Sequence, residues 1–261
     1  MTNLAPQAQP SNPIALITGG SRGLGKSMAL HLADRGVDVI LTYRGAEKEA
    51  HDVVAELGAK GRKAIALQLD VADSRTFAAF AETLKRSLAQ TWQRDRFDFL
   101  VNNAGTSLHA SFMETTEQQF DEIMNVHLKG VFFLTQKVLP LLRDGGRIVN
   151  ISSGLARFSF PGSSAYGAMK GAVEVLTRYL AKELGGRKIA VNTIAPGAIE
   201  TDFSGGMVRD NRELNQQIAG LTALGRVGLP EDVGGAVAML LAPESGWING
   251  QRIEVSGGML L

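Results

Sequence analysis

Short apolar runs alternate along this chain with longer stretches in which apolar residues recur every three or four positions. The two periods predict strands and helices in turn. Ile14 to Thr18 predicts a first strand, and a glycine-rich turn leads from it into an amphipathic stretch ending near Gly36. Val39 to Leu41 predicts a second strand, Ala46 to Leu57 a helix, and Ala64 to Leu69 a third strand. From Ser74 to Gln90 a helix is expected, because Phe77, Phe80, Leu84 and Leu88 fall at helical spacing. Phe97 to Val101 predicts a fourth strand and Glu117 to Leu142 one long helix. Arg147 to Ile151 reads as a fifth strand, Ser164 to Leu184 as a helix, and Ile189 to Ile194 as a sixth strand. The glycine-rich, polar stretch that follows, up to Gly228, reads as irregular. Pro230 then opens a helix to about Leu241, and Arg252 to Val255 is the last strand.

Repeated strand–helix alternation implies an α/β fold with a parallel sheet and right-handed crossovers. No composition shift or internal repeat divides the chain, so residues 14–261 are expected to form one domain behind a flexible, proline-containing tail, 1–13. At 261 residues and 44% hydrophobic, that domain has material for a large core.

Charge and composition narrow the function. The 27 Lys and Arg against 26 Asp and Glu leave a net +1, which gathers neither nucleic acid nor an anionic membrane. Cysteine is absent, which removes disulfides and thiolate chemistry and suits a cytoplasmic location. The histidines at 31, 51, 109 and 127 are scattered, so no metal site is expected. The start of the chain has no basic segment leading into an apolar one, and no apolar run approaches the ~20 residues that span a bilayer.

Chemistry enters with Thr18-Gly19-Gly20-Ser21-Arg22-Gly23-Leu24-Gly25, between the first strand and the helix after it. Glycines let such a turn approach a pyrophosphate closely, and the helix N-terminus behind it favours the anion. Gly19, Ser21, Arg22, Gly23, Leu24 and Gly25 are the binding candidates here. The second strand ends in Thr42-Tyr43-Arg44, where a ribose-binding carboxylate would prefer NAD. Arg44 and Arg22 would attract a 2′-phosphate instead, which points to NADP(H); otherwise both are solvated surface charges. Asp38 and Glu47, the nearest acids, miss that strand end. Asn102-Asn103-Ala104-Gly105 closes the fourth strand, with amides to tie strand ends together and small residues to admit a ribose. Tyr166 and Lys170 lie four apart on one helix face, where an ammonium would lower the phenol pKa toward working pH. Ser153 ends the fifth strand, where ligands of open α/β sheets bind, and Ser152 is its rival. Asn125, within an apolar helical run, is either a solvent-facing amide or marks a kink whose carbonyl holds a water near Lys170.

This order of motifs resembles the short-chain dehydrogenase/reductase family over Ile14 to Gly258, most like its 3-oxoacyl-[acyl carrier protein] reductases. The resemblance implies a Rossmann-type three-layer sandwich with a seven-stranded parallel sheet. It implies that Asn125, Ser153, Tyr166 and Lys170 are catalytic: Tyr166 as general acid, Lys170 lowering its pKa and holding the nicotinamide ribose, Ser153 polarising the carbonyl, Asn125 supporting a proton relay. Asp70 and Val71 would meet the adenine, unless Asp70 caps the next helix. Asn103, Ala104 and Gly105 line the cofactor. Pro196, Gly197, Ile199 and Thr201 resemble the family's closing PG motif, with the Ile199 amide toward the carboxamide and Thr201 toward the pyrophosphate.

The expected reaction is NADPH-dependent reduction of a carbonyl to a secondary alcohol, on a thioester or a small molecule such as a ketone, sugar, quinone or steroid. The same chemistry run toward oxidation, and an NADP(H)-sensing protein without turnover, are the alternatives. Similar reductases dock an acidic carrier on two arginines. Arg187 matches one; Asp144, beside Arg143, stands at the other. Ser107, Leu108, Leu155, Phe158, Phe160, Phe203 and Met207 are pocket candidates, and 202–228 is a candidate lid. A homotetramer is implied, built on Glu117–Leu142, Ser164–Leu184 and Arg252–Val255; Met259-Leu260-Leu261 either packs there or frays.

Overall fold

The computed structural model describes residues 12–261, so most of the expected tail lies outside the described residues. Its last two residues are held. Asn12 O accepts from Arg94, and Pro13 O accepts from the Asp38 amide at 2.8 Å.

In chain order the elements are β1 (Ile14–Ile17), α1 (Gly23–Asp34), β2 (Asp38–Tyr43), α2 (Glu47–Ala59), β3 (Ala64–Gln68), α3 (Phe77–Trp92) and β4 (Phe97–Asn102). Then come α4 (Glu117–Met124), a π-turn (Asn125–Lys129), α5 (Gly130–Val138), β5 (Leu142–Ile151), α6 (Ser164–Glu183) and β6 (Ala190–Pro196). The chain closes with α7 (Met207–Asp210), α8 (Arg212–Gly220), α9 (Pro230–Leu240) and β7 (Arg252–Val255). The seven strands form one sheet in the order β3-β2-β1-β4-β5-β6-β7, every pair parallel.

Alternation along β1 shows why both faces are covered. Ala15 and Ile17 join one buried cluster with α1, α2 and α9; Ile14 and Leu16 join the other with α3 and α5. The stripe Phe77, Phe80, Leu84, Leu88 and Trp92 packs α3 onto that second face. Strand order reverses between β1 and β4, which opens a crevice at their carboxyl ends.

Three expectations change. The long helix over 117–142 is broken by the π-turn and by a short 3-10 turn at Leu139–Leu141, and β5 begins at Leu142. Gly145, at φ +75°, and a register shift opposite Phe97/Phe99 absorb the extra residues at that start. The stretch expected to be irregular holds α7 and α8, with Asn211 capping α8 by accepting from the Leu214 amide at 3.0 Å.

Candidate active site

The crevice is built from strand ends. Thr18, after β1, accepts the Asn103 and Ala104 amides on its hydroxyl at 2.9 and 3.0 Å. Asn103 Nδ2 donates to Thr18 O and Gly19 O at 2.9 and 3.0 Å, which fixes the glycine turn against the end of β4. Gly19, at φ +67°, lies where a Cβ would stand 2.9 Å from Ala104 Cα, and a Cβ on Gly25 would collide with Gly19 O. No side chain caps α1: Arg22, its N-cap residue, leaves the helix amides open, with Gly23 and Leu24 in the first turn. Asn102 Nδ2 donates to Asn150 Oδ1 at 2.8 Å, and Asn150 Nδ2 donates to Thr177 at 2.9 Å, so buried amides tie β4 and β5 to α6.

Around this turn lie the other cofactor candidates. Tyr43 ends β2 and Arg44 follows it, with Tyr43 buried and Arg44 exposed. Arg44 makes no ion pair among the described residues, while Arg22 reaches only to 3.9 Å from Asp202. Asp38 is at the opposite end of β2, accepting from Trp92 Nε1 at 2.9 Å. Asp70 does not cap the next helical segment: it accepts from the Ala72 amide at 2.9 Å, and Asp73 caps instead. Val71 O touches the close-packed Gly130, and Gly105 lies under the His127 ring. Pro196 ends β6, and Gly197 N donates to Val255 O at 3.0 Å. Ile199 bridges Gly228 through Ala198 O and Glu200 N, a ladder that does not use the Ile199 amide. Thr201 stands 3.6 Å from the Cβ position of Gly23, beside the phosphate turn.

Ser153, Tyr166 and Lys170 meet beyond β5. Ser153 starts a 3-10 turn, its hydroxyl accepting from the Leu155 amide at 3.2 Å, and it acts on the Tyr166 phenol. Lys170 is buried; its Nζ donates to Ile151 O at 2.7 Å and sits 5.5 Å from the centre of the Tyr166 ring. Burial pulls the Lys170 ammonium down to about 7. Burial pushes the Tyr166 phenol up, and the influence of Ser153 only partly opposes it. In this arrangement the Lys170 ammonium is held by a backbone carbonyl beside the Tyr166 ring. Asn125 opens the π-turn, and its carbonyl accepts from the Gly130 amide, so the expected kink is a single widened turn.

His127 was not singled out by the sequence, yet it packs edge-on against Tyr166, ring centres 5.0 Å apart. Its Nε2 lies 2.7 Å from Thr106 O, and Nδ1 has no partner among the described residues. Burial, reinforced by the Lys170 charge, pulls its pKa down to about 3, so the ring stays neutral. The only sequence signal was a polar ring two residues after Asn125 in an apolar run. Of the pocket candidates, Phe203 lies 6.1 Å from Tyr166, and Phe158 and Phe160 pair at 5.6 Å beside the Ser153 turn. Leu155 O packs against Gly167, and Met207 is exposed; Ser107 is exposed and Leu108 half-buried on the loop after β4.

No helix among the described residues is long and apolar enough to cross a membrane. A family model described as enoyl-(acyl carrier protein) reductase matches residues 19–260. The hydroxynaphthalene reductase-like protein Arp2 of Metarhizium brunneum is 38% identical, with 94% of each chain covered. The 3-oxoacyl-[acyl-carrier-protein] reductase FabG of Staphylococcus aureus is 38% identical, covering 95% of this chain and 98% of that protein. The solved angucycline C-6 ketoreductase LanV with bound NADP superposes with a TM-score of 0.90 at 33% identity, 95% of each chain covered. With its parallel seven-stranded sheet, glycine turn and Ser–Tyr–Lys group, the chain belongs to the short-chain dehydrogenase/reductase family of oxidoreductases.

Proposed function

We propose that this protein uses NADPH to reduce the carbonyl of a free aromatic or polycyclic ketone or quinone. The observation that carries this reading is the ring-lined wall at the reactive hydroxyl: Phe203 flanks Tyr166, with Phe158 and Phe160 beyond Ser153, while buried His127 backs the Tyr166 ring. Flat rings stack on such walls with offset or edge-on geometry. The names of two relatives, a hydroxynaphthalene reductase-like protein and an angucycline ketoreductase, agree with it.

The residues present fit the cofactor. The glycine positions that a Cβ would fill, and the uncapped start of α1, suit a diphosphate; Arg22 and Arg44 suit a 2′-phosphate. When bound, NADPH supplies the hydride. Ser153 then orients the carbonyl by donating to its oxygen, and Tyr166 delivers the proton to that oxygen. Lys170 holds the strand end through Ile151 O and stands ready for the nicotinamide ribose; the Asn125 turn supports a water path for proton return.

Reduction of a carrier-borne 3-oxoacyl group is the second reading, favoured by the 38% identity to FabG. Against it, Arg187 is committed internally, to Asp144 at 2.8 Å and to Leu139 O and Leu142 O. Arg143 pairs with buried Asp98 at 2.9 Å. We also propose a homotetramer, because Phe120, Phe132, Phe133, Val175 and Tyr179 are exposed on α4, α5 and α6.

NADPH oxidation with phenanthrenequinone, a tetralone and acetoacetyl-CoA, against NADH and Tyr166→Phe controls, tests the reading. Tyr166-dependent turnover of the ring substrates, faster with NADPH, is expected. Turnover of acetoacetyl-CoA alone moves the substrate to a thioester, and NADPH binding without turnover of any probe makes the protein a sensor.

A further inference from the structure

Ser153 is bracketed by a chain of charged groups that none of the roles above uses. In front of it, Ser152 Oγ donates to Glu174 Oε1 at 2.7 Å, and Arg252 Nε donates to the same oxygen at 2.7 Å. Arg252 also donates to Glu254 Oε2 at 2.8 Å, and its remaining nitrogen reaches Ser153 O at 3.4 Å. Behind Ser153, the turn Gly154–Ala156 ends at Arg157, whose amide donates to Gly154 O at 2.8 Å. The Arg157 guanidinium forks onto Glu254 at 2.8 and 2.9 Å and donates to Met259 O and Leu260 O at 2.8 and 3.2 Å. Both flanks of the serine turn are thus fastened to one Arg252–Glu254 pair on β7, the last strand of the sheet.

The pairs are sheltered: side-chain exposure is 13% for Glu174, 23% for Arg252 and 20% for Glu254. Solvent and salt screen such pairs less than surface ones. Guanidinium forks fix direction as well as distance. A hydroxyl that must meet a carbonyl oxygen gains from that fixity, because small displacements of a reacting group cost rate steeply.

We infer that Arg252 and Glu174 are positioning residues for Ser153, holding its turn from β7 and α6 so that its hydroxyl faces Tyr166. The inference rests on Ser153 acting in the reduction as proposed above. The bland rival is a clamp that merely secures an edge strand and the C-terminal segment.

The two are separated by a double-mutant cycle on NADPH-dependent reduction of phenanthrenequinone. Arg252→Gln should lower kcat about tenfold with NADPH affinity unchanged, and Arg252→Lys should recover part of the loss. In a Ser153→Ala background the same Arg252→Gln change should cost less than about twofold, because the group it positions is gone. Equal losses in both backgrounds, or no loss in either, overturn the inference. Glu174→Gln, which keeps the side-chain shape, carries the same comparison if Arg252→Gln does not fold. Amide hydrogen exchange over Ser153 to Ala156 reads the bracket without turnover: faster exchange in Arg252→Gln is expected, and unchanged exchange overturns it. Wild-type turnover in Ser153→Ala alone would instead sink the role assigned to Ser153, and the inference with it.

Discussion

At the scale of single residues, two groups set measurable expectations. His127 is neutral in the fold because burial, with help from Lys170, holds its pKa at about 3, while an unfolded histidine titrates near its usual value of 6.5. Between those values the unfolded chain binds the extra proton, so stability is fully present above about 6.5 and falls as pH drops toward 3. The slope from this one group is about 1.4 kcal/mol per pH unit at most. Urea unfolding at pH 7, 6 and 5 should show that loss, and His127→Asn should flatten the curve. A variant curve parallel to wild type would remove His127 as the source. The second group is Arg22 and Arg44, the pair of cations proposed to meet a 2′-phosphate. Arg44 is exposed and unpaired among the described residues, so its guanidinium is available to a phosphate. A charge-assisted contact of about 1.5–3 kcal/mol corresponds to roughly a tenfold to hundredfold effect. Arg44→Ala should reduce the NADPH-over-NADH ratio of kcat/KM by that factor while leaving the NADH value nearly unchanged. An unchanged ratio would give the selectivity to Arg22 or to neither.

The elements show where local sequence speaks and where it falls silent. The helix Phe77–Trp92 was legible because its stripe of large apolar residues is the face it buries. Helix α8 was passed over, because Leu214 and Ile218 mark only a short, half-buried face among the polar residues of Arg212–Gly220. The π-turn was half legible: Asn125 in an apolar run signalled a disturbance, but which hydrogen bonds shift depends on the tertiary approach of Val71 to Gly130. That approach makes a sharp prediction. A Cβ at Gly130 would collide with Val71 O and stand 2.9 Å from Asn125 O, both backbone atoms that cannot swing aside. Gly130→Ala should therefore destabilise the protein by about 1–3 kcal/mol. If the π-turn also sets the active group, turnover should fall further than stability alone explains at a temperature where the variant is folded. An Ala variant as stable as wild type would show that the turn relaxes at no cost. The Arg252–Glu174 contact had no sequence signal, since its partners lie 78 positions apart.

At the scale of the whole molecule, the strand pattern was legible as the sheet and the order of motifs as the family, because both are written in short local segments. Assembly is written in surface that one chain leaves uncovered. Two such surfaces are present. One lies on α4, α5 and α6, where Phe132 and Phe133 meet edge-on at 5.1 Å and Tyr179 is 64% exposed. The other lies around the C-terminal elements, where Trp247 is fully exposed and Met239 on α9 and Leu261 stand open. A tetramer of dihedral symmetry needs two distinct two-fold interfaces, and two separate apolar surfaces supply candidates for them. Light scattering after gel filtration should give a tetramer for the wild-type chain. Phe133→Glu would place a charge in one interface and Trp247→Glu in the other, so each alone should leave dimers and the pair should leave monomers. A wild-type monomer at micromolar concentration would overturn the tetramer. Dissociation by only one of the two substitutions would instead reduce the assembly to a dimer on that surface. Because β7 carries Arg252 and Glu254 near the second surface, loss of that interface should also slow ketone reduction if the bracket on Ser153 depends on a fixed β7. Dimers that keep full turnover would show that the bracket is complete within one chain.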